Sequence, residues 1–85
     1  MDTTKPFAAG PSEMIGRRLR KERNRLGLSQ VKFAEIACVG SLAQLHYEAG
    51  KRSPDALYLF RVAAAGVDVN YVITGYPVAP GGWRT

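Results

Sequence analysis

Ser29-Gln30-Val31-Lys32-Phe33-Ala34-Glu35-Ile36-Ala37-Cys38-Val39-Gly40-Ser41-Leu42-Ala43-Gln44-Leu45-His46-Tyr47-Glu48-Ala49-Gly50 is the stretch that decides the fold. Ser29 is a natural N-cap, because its hydroxyl can accept from a free N–H of the first turn. Val31, Phe33, Ala34 and Ala37 then recur at helical spacing. Cys38-Val39-Gly40 is a short turn. A third helix is expected from about Ser41 to Glu48, closed by Gly50. Two short helices joined by a three- or four-residue turn form a helix-turn-helix. Such a unit needs a small residue where the helices cross, which Ala34 supplies, and another in the turn, where Cys38 fits.

Working outward, Ser12 is a plausible N-cap for a first helix, with Glu13 in its first turn, where a negative charge suits the helix dipole. Met14, Ile15, Leu19 and Leu26 sit near helical spacing, and Gly27 ends the run. Downstream, Ser53 followed by Pro54 reads as N-cap and first helical position. The fourth helix is expected over residues 55–65, with Leu57, Leu59, Phe60 and Ala63 to Ala65 available for the core, and Gly66 at its end. Asp68 can cap a short fifth helix through Val69, Tyr71, Val72 and Ile73 to Gly75. No strand alternation and no internal repeat are visible. The expectation is an all-α, compact five-helix domain over residues 13–75. Residues 1–12, with Pro6, Gly10 and Pro11, read as a flexible N-terminal arm. Residues 76–85 form a Pro/Gly-rich tail that carries Tyr76 and Trp83.

The 85 residues suit one domain with a small core. A hydrophobic content of 46% is ordinary for a globular chain and too high for full disorder. One cysteine, Cys38, excludes an internal disulfide framework and a multi-cysteine zinc site, and one histidine, His46, removes the paired-histidine metal sites. No metal or cofactor is expected. No apolar run approaches the ~18 residues that span a membrane, and the first twelve residues lack the apolar core of a secretory signal. A cytoplasmic setting is the expectation. Paired carboxylates with a histidine, a phosphate-cradling glycine loop and a nucleophile triad are all missing, which points away from an enzyme.

The chain carries a formal charge of +5, and its distribution says more than its size. Residues 17–52 hold nine basic and three acidic side chains, so this one segment carries all the excess. Concentrated positive charge favours a polyanionic partner, nucleic acid before an acidic membrane surface.

Four pieces in sequence order, Ile15-Gly16-Arg17-Arg18-Leu19-Arg20, Gly27-Leu28-Ser29-Gln30, Phe33-Ala34 and Tyr47-Glu48-Ala49-Gly50-Lys51-Arg52-Ser53-Pro54, resemble the phage-repressor helix-turn-helix family (lambda cI/Cro-like, or XRE). Ala64-Ala65-Gly66-Val67-Asp68-Val69 and Ile73-Thr74-Gly75 resemble its prophage members. The likeness covers roughly residues 14–75. It implies a lambda-repressor-like DNA-binding domain that holds double-stranded operator DNA as a homodimer and regulates transcription. Carried over by position, it implies that Ser29, Gln30, Lys51 and Arg52 meet phosphates, and that Ser41, Leu42, Gln44, Leu45 and His46 read base edges in the major groove. It also implies an ion pair between Arg23 and Glu48.

The reading face departs from the pattern of well-known base readers, with no arginine for guanine and no asparagine for adenine. Gln44 stands where many relatives place an apolar core residue, so inward and groove-facing orientations are both open. Leu42 and Leu45 could touch thymine methyls or turn into the core. Of the cations on the first helix, helical spacing allows only two or three near DNA, with Arg17 and Arg18 the weakest candidates. A second function class stays open beside the first: a protein-interaction module on the same scaffold, such as an antitoxin or an anti-repressor partner. Val69, Tyr71, Val72, Tyr76 and Trp83 are the candidate dimer surface.

Overall fold

Pro11 has no N–H to waste at a helix start and its φ is already helical. The first helix, α1, therefore begins on it and runs Pro11–Arg25 in the computed structural model, which describes residues 10–78. Gly10, not Ser12, is the N-cap, and its N–H donates to the Glu13 carboxylate at 2.8 Å. The Ser12 hydroxyl instead lies 3.3 Å from that of Ser53. The helical domain thus starts two residues before the expected boundary at residue 13. The remainder of the expected arm and Trp83 of the tail lie outside the described residues.

Four more helices follow: α2 Gln30–Ala37, α3 Ser41–Ala49, α4 Ala56–Ala64 and α5 Val69–Thr74. The described residues are all-α, and none of their helices is long and apolar enough to cross a membrane. Ser29 caps α2 as expected, its hydroxyl accepting from the Lys32 N–H at 3.0 Å. Cys38 closes α2 in the left-handed region, at φ 58°, and is exposed rather than packed in the turn. The cap of α4 is Asp55, whose carboxylate accepts from the Tyr58 N–H at 2.9 Å. A charged acceptor suits the positive helix end better than the Ser53 hydroxyl would, so α4 starts two residues later than the Ser53–Pro54 pair suggests. Asp68 caps α5 through the Tyr71 N–H, and Gly75 ends it.

Leu19 of α1, Phe33 and Ala37 of α2, Tyr47 of α3, Tyr58 and Val62 of α4, Val67 and Val72 of α5 and its approach make the core. The Tyr58 ring packs edge-on against Phe33 and Tyr47, with centroids 6.5 and 4.7 Å away. Tyr58 and Val62, one helical turn apart, are buried and Leu59 packs beside them, which turns the opposite face of α4 outward. Leu57, Phe60, Ala63 and Ala64, expected in the core, are exposed. Val72, expected on a dimer surface, is core, and Val69 and Tyr71 pack against it, leaving Tyr76 exposed.

Helices α1 and α3 meet backbone to backbone at Gly16. A Cβ there would stand 2.7 Å from the Glu48 carbonyl oxygen and closer still to that of Tyr47. In an open helix, glycine to alanine gains about 1 kcal/mol from propensity. Here the sign reverses, because overpacking costs about 1–3 kcal/mol. Gly16→Ala should lower the urea midpoint, and a raised midpoint would show that the contact is loose.

Candidate nucleic-acid interface

Helix α3 is held from behind by a network of largely buried polar groups. Glu48, in its last turn, accepts from Arg23 Nε at 2.7 Å and from a second guanidinium nitrogen at 3.0 Å. The same carboxylate accepts from the amides of Gln44 at 2.8 Å and Gln30 at 3.2 Å. Arg23 also donates to the Leu28 carbonyl at 2.9 Å. The Arg23 and Glu48 side chains are only 12% and 4% exposed. The chain of bonds continues into the core, where the Tyr58 hydroxyl donates to Gln44 Oε1 at 2.6 Å. Burial pushes the Tyr58 phenol well above its ordinary value of 10, so it stays a neutral donor.

Gln44, expected among the base readers, is therefore corrected to a structural role. It is fully buried, and its amide meets the needs of that position, accepting from Tyr58 through Oε1 and donating to Glu48 through Nε2. Of the other expected readers, Ser41, Leu42 and Leu45 are exposed and His46 is half-buried. They form the outward ridge of α3. The expected phosphate contacts lie at two places beside it. Ser29 and Gln30 open α2, but the Ser29 hydroxyl is occupied in capping and the Gln30 amide leans on Glu48. Lys51 and Arg52 follow α3, both exposed, their N–H groups directed at the His46 carbonyl. The Arg52 guanidinium lies 5.3 Å from the Tyr47 ring centre, which restricts where it can go.

A cleft of about 380 Å³ runs along one side of this ridge, lined by Arg20, Arg23, Gln30, Leu45, Glu48 and Ala49. It brings Arg20 beside Leu45. Arg20 was not singled out from the sequence, although a signal existed. It lies one turn from both Gly16 and Arg23, hence on the stripe of α1 that faces α3.

The local charge resolves into two groups. Glu22, Glu35 and Glu48 pair with Arg25, Lys32 and Arg23. Arg17, Arg18, Arg20, Lys21, Lys51 and Arg52 meet no carboxylate among the described residues. Arg18 is turned to another task, donating to the Val72 and Ile73 carbonyls at the end of α5 at 3.0 and 3.2 Å. Arg17 and Lys21, also exposed, border a hollow with Met14 and Tyr71 on the α5 side of α1, so Arg20, Lys51 and Arg52 are the exposed cations next to α3.

On the side of α1 that meets α5, Glu22 accepts from Arg25 at 2.7 and 3.0 Å and from the Asp68 N–H at 2.8 Å. Arg25 also reaches the Gly66 carbonyl. The hydrogen bonds from Arg25 hold the Glu22 carboxyl below its ordinary value of 4.5, against the opposing effect of burial, with the Asp68 N–H helping. A lowered folded-state value stabilises the fold fully above the unfolded value, and that stabilisation is lost as pH falls through the folded one. The stability advantage of the native chain over Glu22→Gln should be constant near neutrality and shrink below about pH 4.5. Urea midpoints between pH 7 and pH 3 measure it, and a difference that does not change with pH would contradict the assignment.

Against known proteins, the chain matches no family model and no curated protein sequence.

Proposed function

We propose that this protein is a sequence-specific DNA-binding transcriptional regulator with a lambda-repressor-like fold, of phage or prophage repressor type, acting in the cytoplasm. Helix α3 enters the major groove of double-stranded operator DNA. The observation that carries the reading is the combination at α3: a ridge of short and apolar side chains facing out, fixed from behind by the Arg23–Glu48–Gln44–Tyr58 chain and bordered by the exposed cations Arg20, Lys51 and Arg52. A rigid ridge with positive flanks fits a duplex, whose phosphates border the groove that a helix can enter. Ser41, Leu42, Leu45 and His46 meet base edges. Lys51 and Arg52 hold the backbone, together with Arg20 and the N–H groups that open α2.

The protein binds as a homodimer, so its two recognition helices lie ~34 Å apart and the operator is near-palindromic. Selection of binding sites from random duplexes tests this reading. It should return two related half-sites about one helical turn apart, and His46→Ala should alter the sequence preferred. Failure to enrich any sequence would refute specific recognition.

One observation favours a second reading. Leu42 and Leu45 on α3 and Phe60 on α4 are exposed, as a protein-interaction module such as an antitoxin or anti-repressor partner would need. Retention of a protein partner with no DNA bound at ~100 mM salt would favour it.

A further inference from the structure

Leu42 and Leu45 are 63% and 48% exposed, yet they occupy the middle of the ridge assigned to base reading. Neither belongs to the core or packs against it. They lie three residues apart on one helix, so they address neighbouring positions about 4.5 Å apart along its axis. That spacing is close to the ~3.4 Å rise between base pairs. The cations beside them, Arg20 across the cleft and Lys51 and Arg52 at the end of α3, complement a polyanion rather than an apolar protein surface.

In the major groove, guanine, adenine and cytosine are marked by hydrogen-bonding groups, and the C5-methyl of thymine is the one methyl group on any base edge. A leucine gains from contact with that methyl. Against a polar edge it displaces water and offers no hydrogen bond in return, which is unfavourable. We propose that Leu42 and Leu45 form a 5-methylpyrimidine reader, and that each half-site is chosen by thymine methyl groups on adjacent base pairs. This rests on the DNA-binding reading above. Because 5-methylcytosine carries the same methyl at the same place, the surface also responds to cytosine methylation. The half-buried His46 and the exposed Ser41, at the edges of the leucine pair, supply the polar contacts that fix which strand carries the methyl.

The experiment uses the duplex obtained by site selection, with each thymine replaced in turn by deoxyuridine, which removes the methyl and changes no hydrogen-bonding group. Burying one carbon group contributes enough to predict a loss of about fourfold in affinity per methyl read. The loss should fall at adjacent positions within each half-site and be small elsewhere. In the Leu42→Ala and Leu45→Ala proteins, thymine and deoxyuridine duplexes should bind nearly alike, while thermal unfolding stays unchanged because both side chains lie on the surface. Cytosine placed at a sensitive position should weaken binding, and 5-methylcytosine should recover part of the loss.

Salt-dependent binding that is blind to every thymine methyl overturns the proposal and leaves the DNA-binding reading intact, as does a selected site without thymine in its half-sites. Loss of the leucine variants' binding to a protein partner, with methyl-blind DNA binding, also overturns it, by assigning the leucines to that partner. Absence of any duplex binding defeats both readings together.

Discussion

Glu48→Ala should destabilise the fold by about 3–5 kcal/mol, because it strands the Arg23 guanidinium with one carbonyl as its remaining partner. The Gln44 and Gln30 amides lose their acceptor in the same step. For a domain of this size, 1 kcal/mol moves the melting temperature by about 4–8 °C, so the variant should melt at least about 12 °C below the native chain. Natural domains hold only about 5–15 kcal/mol in all, which leaves Glu48→Ala with little margin at 37 °C. Replacing Arg23 and Glu48 together by leucine should cost much less than the two single changes added, since no charge is then left buried. Urea unfolding of the four proteins gives the coupling directly. A loss under 1 kcal/mol for Glu48→Ala, the size of a surface pair, would mean that the carboxylate does not hold α3.

The helix boundaries that depend on local chemistry were legible in the sequence. Ser29, Gly50, Asp68 and Gly75 mark the ends of α2, α3 and α5 through capping groups or left-handed turns within a few residues. Two starts went astray where two capping residues competed. Gly10, followed by Pro11 at the first helical position, takes the α1 cap from Ser12, and Asp55 takes the α4 cap from Ser53.

What the sequence hid was set by partners far along the chain. The inward turn of Gln44 depends on Tyr58, fourteen residues away, and a helical pattern cannot show that a phenol will meet it. The six cations of α1 look equivalent as a string. Arg18, Arg23 and Arg25 are fixed by α5, by Glu48 and by Glu22 with Gly66, respectively. That division separates them from Arg20, which borders the α3 cleft. The outward stripe of α4 was misjudged for the same reason, because Tyr58 and Val62 fill the space that Leu57 and Phe60 seemed suited to.

The second large effect is electrostatic. Arg20, Lys51 and Arg52 flank α3 without a carboxylate partner among the described residues. If each neutralises one phosphate in each protomer of a dimer, six counterions leave the duplex on binding. The slope of log K against log salt is then about −5, and affinity falls about a thousandfold between 50 and 200 mM salt. Lys51→Ala should weaken binding to all sequences about equally and flatten that slope by about 2 for the dimer. Changing all three cations to alanine should bring it close to zero. These side chains are exposed, so unfolding midpoints should move little, which separates loss of binding from loss of fold.

A mobility-shift salt titration of the native chain and the triple variant on the selected duplex is the decisive test of DNA binding through α3. The native chain should give a steep slope and the triple variant a nearly flat one. Equal slopes for both, or a flat slope for the native chain, would contradict it.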